Sequence, residues 1–143
     1  MITKFSHTTI WVLDQDEARD FYTEKLGFEV NTDERMDGFR WLTVSPPKQP
    51  DHELILLEPG PPMMDQETAE QVKALVAKGA IGPGAFETDD CHKTYTQLSE
   101  RGVNFLSEPA DRGDAARQLR QLVQHGSAQR RGVVSVGDSR CRV

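Results

Sequence analysis

The residues with the chemistry to bind or react are few in this chain, and they do not form a familiar catalytic group. His7 lies in FSHTTIWVL, whose β-branched and aromatic composition predicts a strand. Because side chains alternate along a strand, Thr9 and Trp11 lie on the same face as His7. No serine or cysteine has a base beside it in a known catalytic motif, so nucleophilic catalysis finds no support. The remaining histidines, scattered on predicted loops or helix surfaces, are His52, His92 and His125.

The composition excludes several classes of partner. The 143-residue chain has a formal net charge of −6, whereas nucleic-acid-binding proteins carry clustered Lys and Arg. No segment approaches the roughly 20 apolar residues of a membrane span, and the N-terminal apolar run is too interrupted for a signal peptide. Cys91 and Cys141 lie far apart outside any CxxC pattern, which favours reduced thiols. We therefore expect a cytoplasmic protein that binds neither nucleic acid nor membrane.

The first part of the chain predicts the order β-α-β-β-β. Asp14 offers an N-cap side chain, Glu17 follows three residues later as in a capping box, and Gly27 ends the predicted helix. Apolar residues repeat at helical spacing between these signals, and β-branched and aromatic runs flank them. The helical apolar positions are Ala18, Phe21, Tyr22 and Leu26, and the predicted strands are residues 5–13, 28–32, 39–45 and 53–57.

The second part begins with the same order. A connecting helix is predicted over Met64–Lys78, followed by a strand over residues 83–88. Asp90 then caps a helix that ends at Gly102, and Val103–Leu106 predicts another strand. VLDQDEARDFYTEKLGFEV and ETDDCHKTYTQLSERGVNF thus share one pattern of strand, acidic cap, helix, glycine and strand. This indicates an internal repeat with a period of about 75 residues.

The repeat breaks off after Ser107. Where two more strands should follow, DRGDAARQLRQLVQHG predicts a helix, with Asp114 as its cap and Gly126 after its end. One face of that helix would carry Leu119, Leu122 and Val123. The second copy is therefore predicted to be incomplete or altered at its last two strands.

Residues 5–110 resemble the vicinal oxygen chelate superfamily, which includes glyoxalase I, bleomycin-resistance proteins and extradiol dioxygenases. The resemblance depends on the order and spacing of SHTTIWVLDQDEARDFYTEKLGFEV, GFRWLTVSPP, ELILLEPG and GAFETDDCHKTYTQLSERGVNFLSEP. It implies an α+β fold of two tandem β-α-β-β-β modules that form an open curved barrel around a ligand pocket, and a homodimer. The expected single domain divides into module one at 1–60, a linker helix at 61–79, module two at 80–112 and an atypical tail at 113–143.

The resemblance also implies where a catalytic metal would bind. Its metal-dependent members take ligands from equivalent strands of both modules, and the first position falls on His7. The second falls on Leu56, an apolar residue, with Glu58 two residues further on; the third falls on Pro83, which has no donor atom. The fourth would lie on the missing final strand. A catalytic metal normally needs at least three protein ligands, so we expect none here; His7 and Glu58 are the candidates if one binds.

The unusual tail has two interpretations. Relatives that resemble this chain end in a strand pair around a motif like RDNSGNWFS. The genetic code allows codons for Ala116–Gly126 that, read one base later, encode RDNSGNWFSM. This match to the motif of the relatives indicates a frameshift near residues 113–116. The alternative is an authentic, divergent tail with a helix and a short VVSV strand at Val133–Val136.

Three functions remain open at this point. The first is a glyoxalase/bleomycin-resistance-like protein that binds a small organic molecule without a catalytic metal, since binding pockets are mostly apolar with a few polar groups. The second is a metal-dependent lyase or dioxygenase that uses His7 and Glu58. The third is a non-catalytic, degenerate dimer. No catalytic residue is assigned, and the expected pocket-lining residues are His7, Thr9, Trp11, Phe39, Trp41, Leu56 and Glu58.

Overall fold

The first sheet contains four strands. They are β1 (His7–Trp11), β2 (Glu29–Met36), β3 (Phe39–Ser45) and β4 (Glu53–Leu57), in the spatial order β1-β4-β3-β2. Strands β1 and β4 are parallel, and the other neighbours are antiparallel. The computed structural model describes residues 1–82, 84–105, 108–111, 136–137 and 141–142. The expected α+β fold with a curved, unclosed sheet is confirmed.

The helix after β1 begins where its cap predicts. The Asp14 carboxylate accepts the Glu17 N–H at 2.8 Å, and helix α1 spans Gln15–Asp20. The same helix continues as a π-helical turn over Phe21–Lys25. The wider turn places Tyr22 fully inside the protein, while Phe21 and Leu26 pack at the edge of the core.

One face of the first sheet packs against this helix. Strand residues of β1, β3 and β4 alternate, and every second side chain enters a common apolar cluster with Ala18 and Tyr22. At roughly 25 cal/mol per Å² of buried apolar surface, this cluster is the main stabilising feature of the first sheet. The strands contribute Ile10, Leu42, Val44, Leu54 and Leu56 to this cluster, and Val12, the residue after β1, also belongs to it.

The helix ends predicted at Gly27 and Gly102 are confirmed, and Gly79 ends the connecting helix in the same way, whereas the end predicted at Gly126 lies outside the described residues. Helices α2 (Gln66–Ala77) and α3 (Cys91–Glu100) start at the caps Asp65 and Asp90, whose side chains accept the backbone N–H three residues on. Gly27, Gly79 and Gly102 follow the helical segments with φ between 69° and 77°, a region that glycine adopts without steric cost.

The segment after α3 differs from its prediction as a strand over Val103–Leu106. Residues 103–105 contain only an isolated bridge at Asn104. The Val103 N–H is bonded to the Leu98 carbonyl at 2.9 Å, so this residue closes the helix instead of starting a strand. Val103 is buried beside Leu98.

The second sheet has a different strand order from the first. It consists of β5 (Phe86–Glu87), β6 (Ala110–Asp111), β7 (Val136–Gly137) and β8 (Cys141–Arg142), in the order β5-β7-β8-β6. In the first sheet the fourth strand lies beside the first, whereas among the described strands of the second sheet β7 lies beside β5. Val136, the last residue of the expected VVSV strand, thus pairs with Phe86. The predicted helix over Asp114–His125 lies outside the described residues, and an incomplete second module stays a prediction.

Cys91 corrects one further expectation. It is buried at the start of α3 and disulfide-bonded, which contradicts the reduced thiol predicted for it. The side chain of Cys141 lies outside the described part of the chain.

Candidate functional site

Strand pairing places five of the seven expected pocket residues on one face of the first sheet. His7 pairs with Glu53 and Trp11 with Leu57, while Leu42 pairs with Leu56. Because partners in a ladder share a face, the side opposite helix α1 carries alternate residues of each strand. We call this side the inner face. The expected pocket residues on it are His7, Thr9, Trp11, Phe39 and Trp41.

Three of these side chains form an aromatic row across the inner face. The Trp41 ring centroid lies 6.2 Å from that of His7 and 6.5 Å from that of Phe39. The Phe39 ring meets Trp41 edge to face at 78°, an arrangement favoured by aromatic quadrupoles. Trp41 and Phe39 are half-buried, so one side of each ring system packs on the sheet and the other is accessible.

His7 stands at one end of this row with polar neighbours. Its Nδ1 lies 2.8 Å from the Ser6 Oγ, and its Nε2 lies 3.8 Å from a carboxylate oxygen of Glu53. The His7 side chain is 40% exposed, and that of Glu53 is 25% exposed. His7 and Glu53 therefore offer a hydrogen-bonding pair beside the aromatic surface.

The structure does not bring Leu56 and Glu58 to this site. Leu56 belongs to the opposite, helix-covered face and is fully buried in the core. Glu58 follows β4 and lies five residues beyond Glu53. At about 3.3 Å per residue, this separates the two residues by roughly 16 Å along the strand direction. The Glu58 Oε1 accepts the Gln15 N–H at 3.1 Å instead. Neither residue therefore lies beside the aromatic row.

The described residues do not fit the metal site that the resemblance implies. His7 and Glu58 lie at opposite ends of the sheet, so they cannot share an ion. On the inner face of β4 the residue after Glu53 is Ile55, which has no donor atom. Within the described part of the chain, no group of three or more His, Cys, Asp or Glu residues could hold a metal ion. No reaction step through a metal follows from these residues.

A polar network closes one end of the sheet. The Arg40 side chain is only 8% exposed and donates to Asp33 and to Asp16. The Gln15 side-chain amide donates to the carbonyls of Arg40, at 3.0 Å, and Leu56, at 2.7 Å. The network joins the start of α1 to β2, β3 and β4, so it fixes the shape of this rim.

A cleft of about 510 Å³ opens at the same rim. We call it the rim cleft; residues 14–16, 35–40 and 57–61 line it. Phe39 and Leu57 belong both to the rim cleft and to the inner face. The two surfaces are therefore adjacent along one strand edge.

Sequence reasoning missed Glu53 and the rim cleft for one reason. Both depend on which residues of β1, β3 and β4 stand opposite each other, and the pairing of β1 with β4 joins residues more than 40 positions apart. In ELILLEPG, side chains alternate between the two faces of the strand, and the sequence does not say which set faces the pocket. The prediction chose the set that contains Leu56 and Glu58. The parallel pairing of His7 with Glu53 selects the other set.

Comparison with known proteins identifies the family. The description "Glyoxalase/Bleomycin resistance protein/Dioxygenase superfamily" matches residues 4–124. The chain belongs to this superfamily, which confirms the resemblance inferred from its motifs. YurT of Bacillus subtilis is 37% identical over 107 residues, covering 75% of this chain and 81% of YurT.

Two solved structures share the fold with appreciable sequence identity. UcmS2 is 46% identical, with a TM-score of 0.74, over 80% of this chain and 86% of its own. TnmS3, described as an antibiotic binding protein from Streptomyces sp. CB03234, is 26% identical, with a TM-score of 0.61, over 96% of each chain. No helix in the described residues has the length and apolar character to cross a membrane.

Proposed function

We propose that this protein binds a small organic molecule on the inner face and that binding, without a catalytic metal, is its activity. The observation that carries the proposal is the half-exposed aromatic row of His7, Trp41 and Phe39. Ligand pockets combine such apolar and aromatic walls with a few polar anchors. His7, Glu53 and Thr9 supply those anchors here. The antibiotic-binding description of TnmS3 supports a ligand of the same general kind.

The chemistry of the inner face favours binding over turnover. Its polar groups on β1, β3 and β4 are His7, Glu53 and three hydroxyl side chains, of which Thr43 and Ser45 are 0% and 1% exposed. The edge strand β2 adds Glu29, Thr32 and Glu34 to this face. The Thr43 hydroxyl accepts the Thr32 N–H at 3.1 Å and thus has a structural role. The Ser6 hydroxyl, just before β1, lies 2.8 Å from the His7 Nδ1, so nucleophilic catalysis at Ser6 is an outcome that the test below must also be able to detect.

Intrinsic fluorescence tests this proposal directly, because both tryptophans of the chain, Trp11 and Trp41, are on the inner face. Titration with a panel of antibiotics should give saturable changes in tryptophan emission, and mass spectrometry should recover the ligand unchanged. Trp41→Leu should weaken binding about tenfold or more, as expected for an aromatic anchor. Phe5→Ala is the control, since Phe5 is 76% exposed outside the strands. Conversion of the ligand to product, or equal effects of the two substitutions, would contradict the proposal.

A metal-dependent lyase or dioxygenase is the alternative, and it has one observation in its favour. His7 and Glu53 place a nitrogen and a carboxylate 3.8 Å apart on the inner face. A catalytic metal would still need a third protein ligand. Elemental analysis of protein purified without a histidine tag separates the two functions. Stoichiometric metal that is lost in His7→Ala would support the alternative and overturn metal-free binding.

We also propose a homodimer, as the family resemblance implies. The cytoplasmic location expected from the sequence is part of the proposal as well, although the disulfide-bonded Cys91 no longer supports it. Size measurement in solution, by sedimentation at several protein concentrations, tests the dimer. A monomer at all concentrations would reject it. A degenerate protein that has lost its ligand is the third possibility, and failure of every ligand to change tryptophan emission would favour it.

A further inference from the structure

The rim cleft has the features of a second binding site, which lies beside the aromatic row and shares Phe39 with it. The hairpin between β2 and β3 and the segment after β4 form two opposite walls, and the start of α1 forms a third. We propose that the rim cleft binds the protonated amine of a small organic cation, whose apolar body packs against Phe39.

The first argument is the charge of the lining. Four carboxylates line the rim cleft, Asp14, Asp16, Asp37 and Glu58, against two guanidinium groups, Arg35 and Arg40. Because the cleft is concave, the excess negative charge raises the local concentration of cations. An anionic ligand would meet the same charge as repulsion.

The second argument is that the buried cation is already neutralised. Arg40 donates to both oxygens of Asp33 and to Asp16, so its donors are directed into the protein's own carboxylates. Arg35 is exposed at the mouth, and its charge acts on Asp33 and Asp16. Arg40 therefore competes little with an incoming ammonium for the other carboxylates of the cleft.

The third argument is that two carboxylates remain available. Neither Asp37 nor Glu58 takes part in an ion pair within the described part of the chain. Glu58 uses one oxygen to accept the Gln15 N–H, which leaves its second oxygen as an acceptor. Asp37 lies in the hairpin turn, on the opposite wall. Together they can accept charge-assisted hydrogen bonds from an ammonium group.

The fourth argument is the apolar floor. Phe39 is half-buried and offers part of its ring to a ligand, while the buried Leu57 and Pro59 support the cleft from beneath. An ammonium over the face of an aromatic ring is also attracted by the ring quadrupole. A cation with an aromatic or aliphatic body thus fits better than a bare metal ion.

An NMR titration of the full chain with 2-phenylethylammonium tests the proposal, with neutral 2-phenylethanol as the matched probe. We expect saturable shifts at the amides of residues 37–39 and 58–60, and weaker binding of the alcohol. The double variant Asp37→Asn/Glu58→Gln should bind the amine about threefold to tenfold more weakly. Asparagine tolerates the positive φ of Asp37, and glutamine keeps the acceptor for Gln15.

Glu24→Gln/Asp89→Asn is the control, because it removes the same charge from exposed sites outside the cleft. It should leave affinity unchanged. Equal weakening by both double variants, or equal affinity for amine and alcohol, would overturn the proposal. Loss of binding in Trp41→Leu with no effect of Asp37→Asn/Glu58→Gln would place the amine on the inner face. That result overturns the rim site while leaving the proposed function intact.

Discussion

Arg40 donates from Nε and Nη2 to the two carboxylate oxygens of Asp33, at 2.6 and 2.7 Å. Its Nη1 donates to Asp16 at 2.8 Å, so one buried guanidinium joins β2, β3 and the first turn of α1. These hydrogen bonds raise the pKa of Arg40 and lower the pKa of both Asp33 and Asp16. The ion pairs therefore stabilise the charged forms in the folded state.

Asp33→Asn should reduce the free energy of unfolding by about 1–2 kcal/mol, because it leaves a mostly buried guanidinium with one carboxylate. Asp33 is 34% exposed, which keeps the effect below that of a fully buried pair. Denaturant unfolding measures the change. Asp20→Asn is the matched control, since Asp20 pairs with the more exposed Arg19 and should matter little. Equal losses in the two variants would show that burial of Arg40 is unimportant.

The free energy of unfolding should also depend on pH through the Asp33 carboxylate. The Arg40 hydrogen bond lowers the pKa of Asp33 below its ordinary value of 3.8. A lowered folded-state pKa contributes stability that is complete above the unfolded-state pKa and is lost as the pH falls through the folded-state pKa. The free energy of unfolding should therefore decline from about pH 4 downward. Asp33→Asn should show a shallower decline over that window; parallel curves would contradict the assignment.

Leu56→Ala tests which residues of β4 face the helix-covered core and which face the inner face. Because Leu56 is fully buried on the helix-covered face, its truncation should cost about 2–5 kcal/mol of unfolding free energy. Leu75→Ala is the comparison, since Leu75 is 42% exposed on α2 and should cost less than about 1 kcal/mol. A small loss for Leu56→Ala, combined with altered ligand binding, would mean that Leu56 lines the pocket after all.

The frameshift hypothesis makes a prediction about the gene and one about the protein. Resequencing the gene should show whether the reading frame changes near residues 113–116. A chain with the RDNSGNWFSM reading restored after Ala115 should unfold at higher denaturant concentration than the present chain. The physical reason is that a strand pair closed by aromatic residues covers an otherwise unpaired sheet edge. An unchanged midpoint, together with unchanged ligand affinity, would favour the authentic, divergent tail.

Local signals in the sequence determined most of the first sheet and the ends of the three described helices. Asp14 caps helix α1 and Asp90 caps helix α3 with their side chains. Gly27 and Gly102 lie just after helices, where the backbone adopts a positive φ. Such effects act over a few residues, so they can be read in order along the chain. The strands over 39–45 and 53–57 followed from their composition for the same reason.

The tertiary structure alone decided which residues meet. Whether His7 shares a face with Glu53 or with Leu56 depends on the pairing of β1 with β4, and a slip of one residue exchanges the faces. The burial of Arg40 likewise depends on Asp33 and Asp16, which come from other elements. These contacts join segments that are distant in sequence. Their contribution to the free energy of folding depends on the packing of the whole sheet, so no local sequence pattern predicts them.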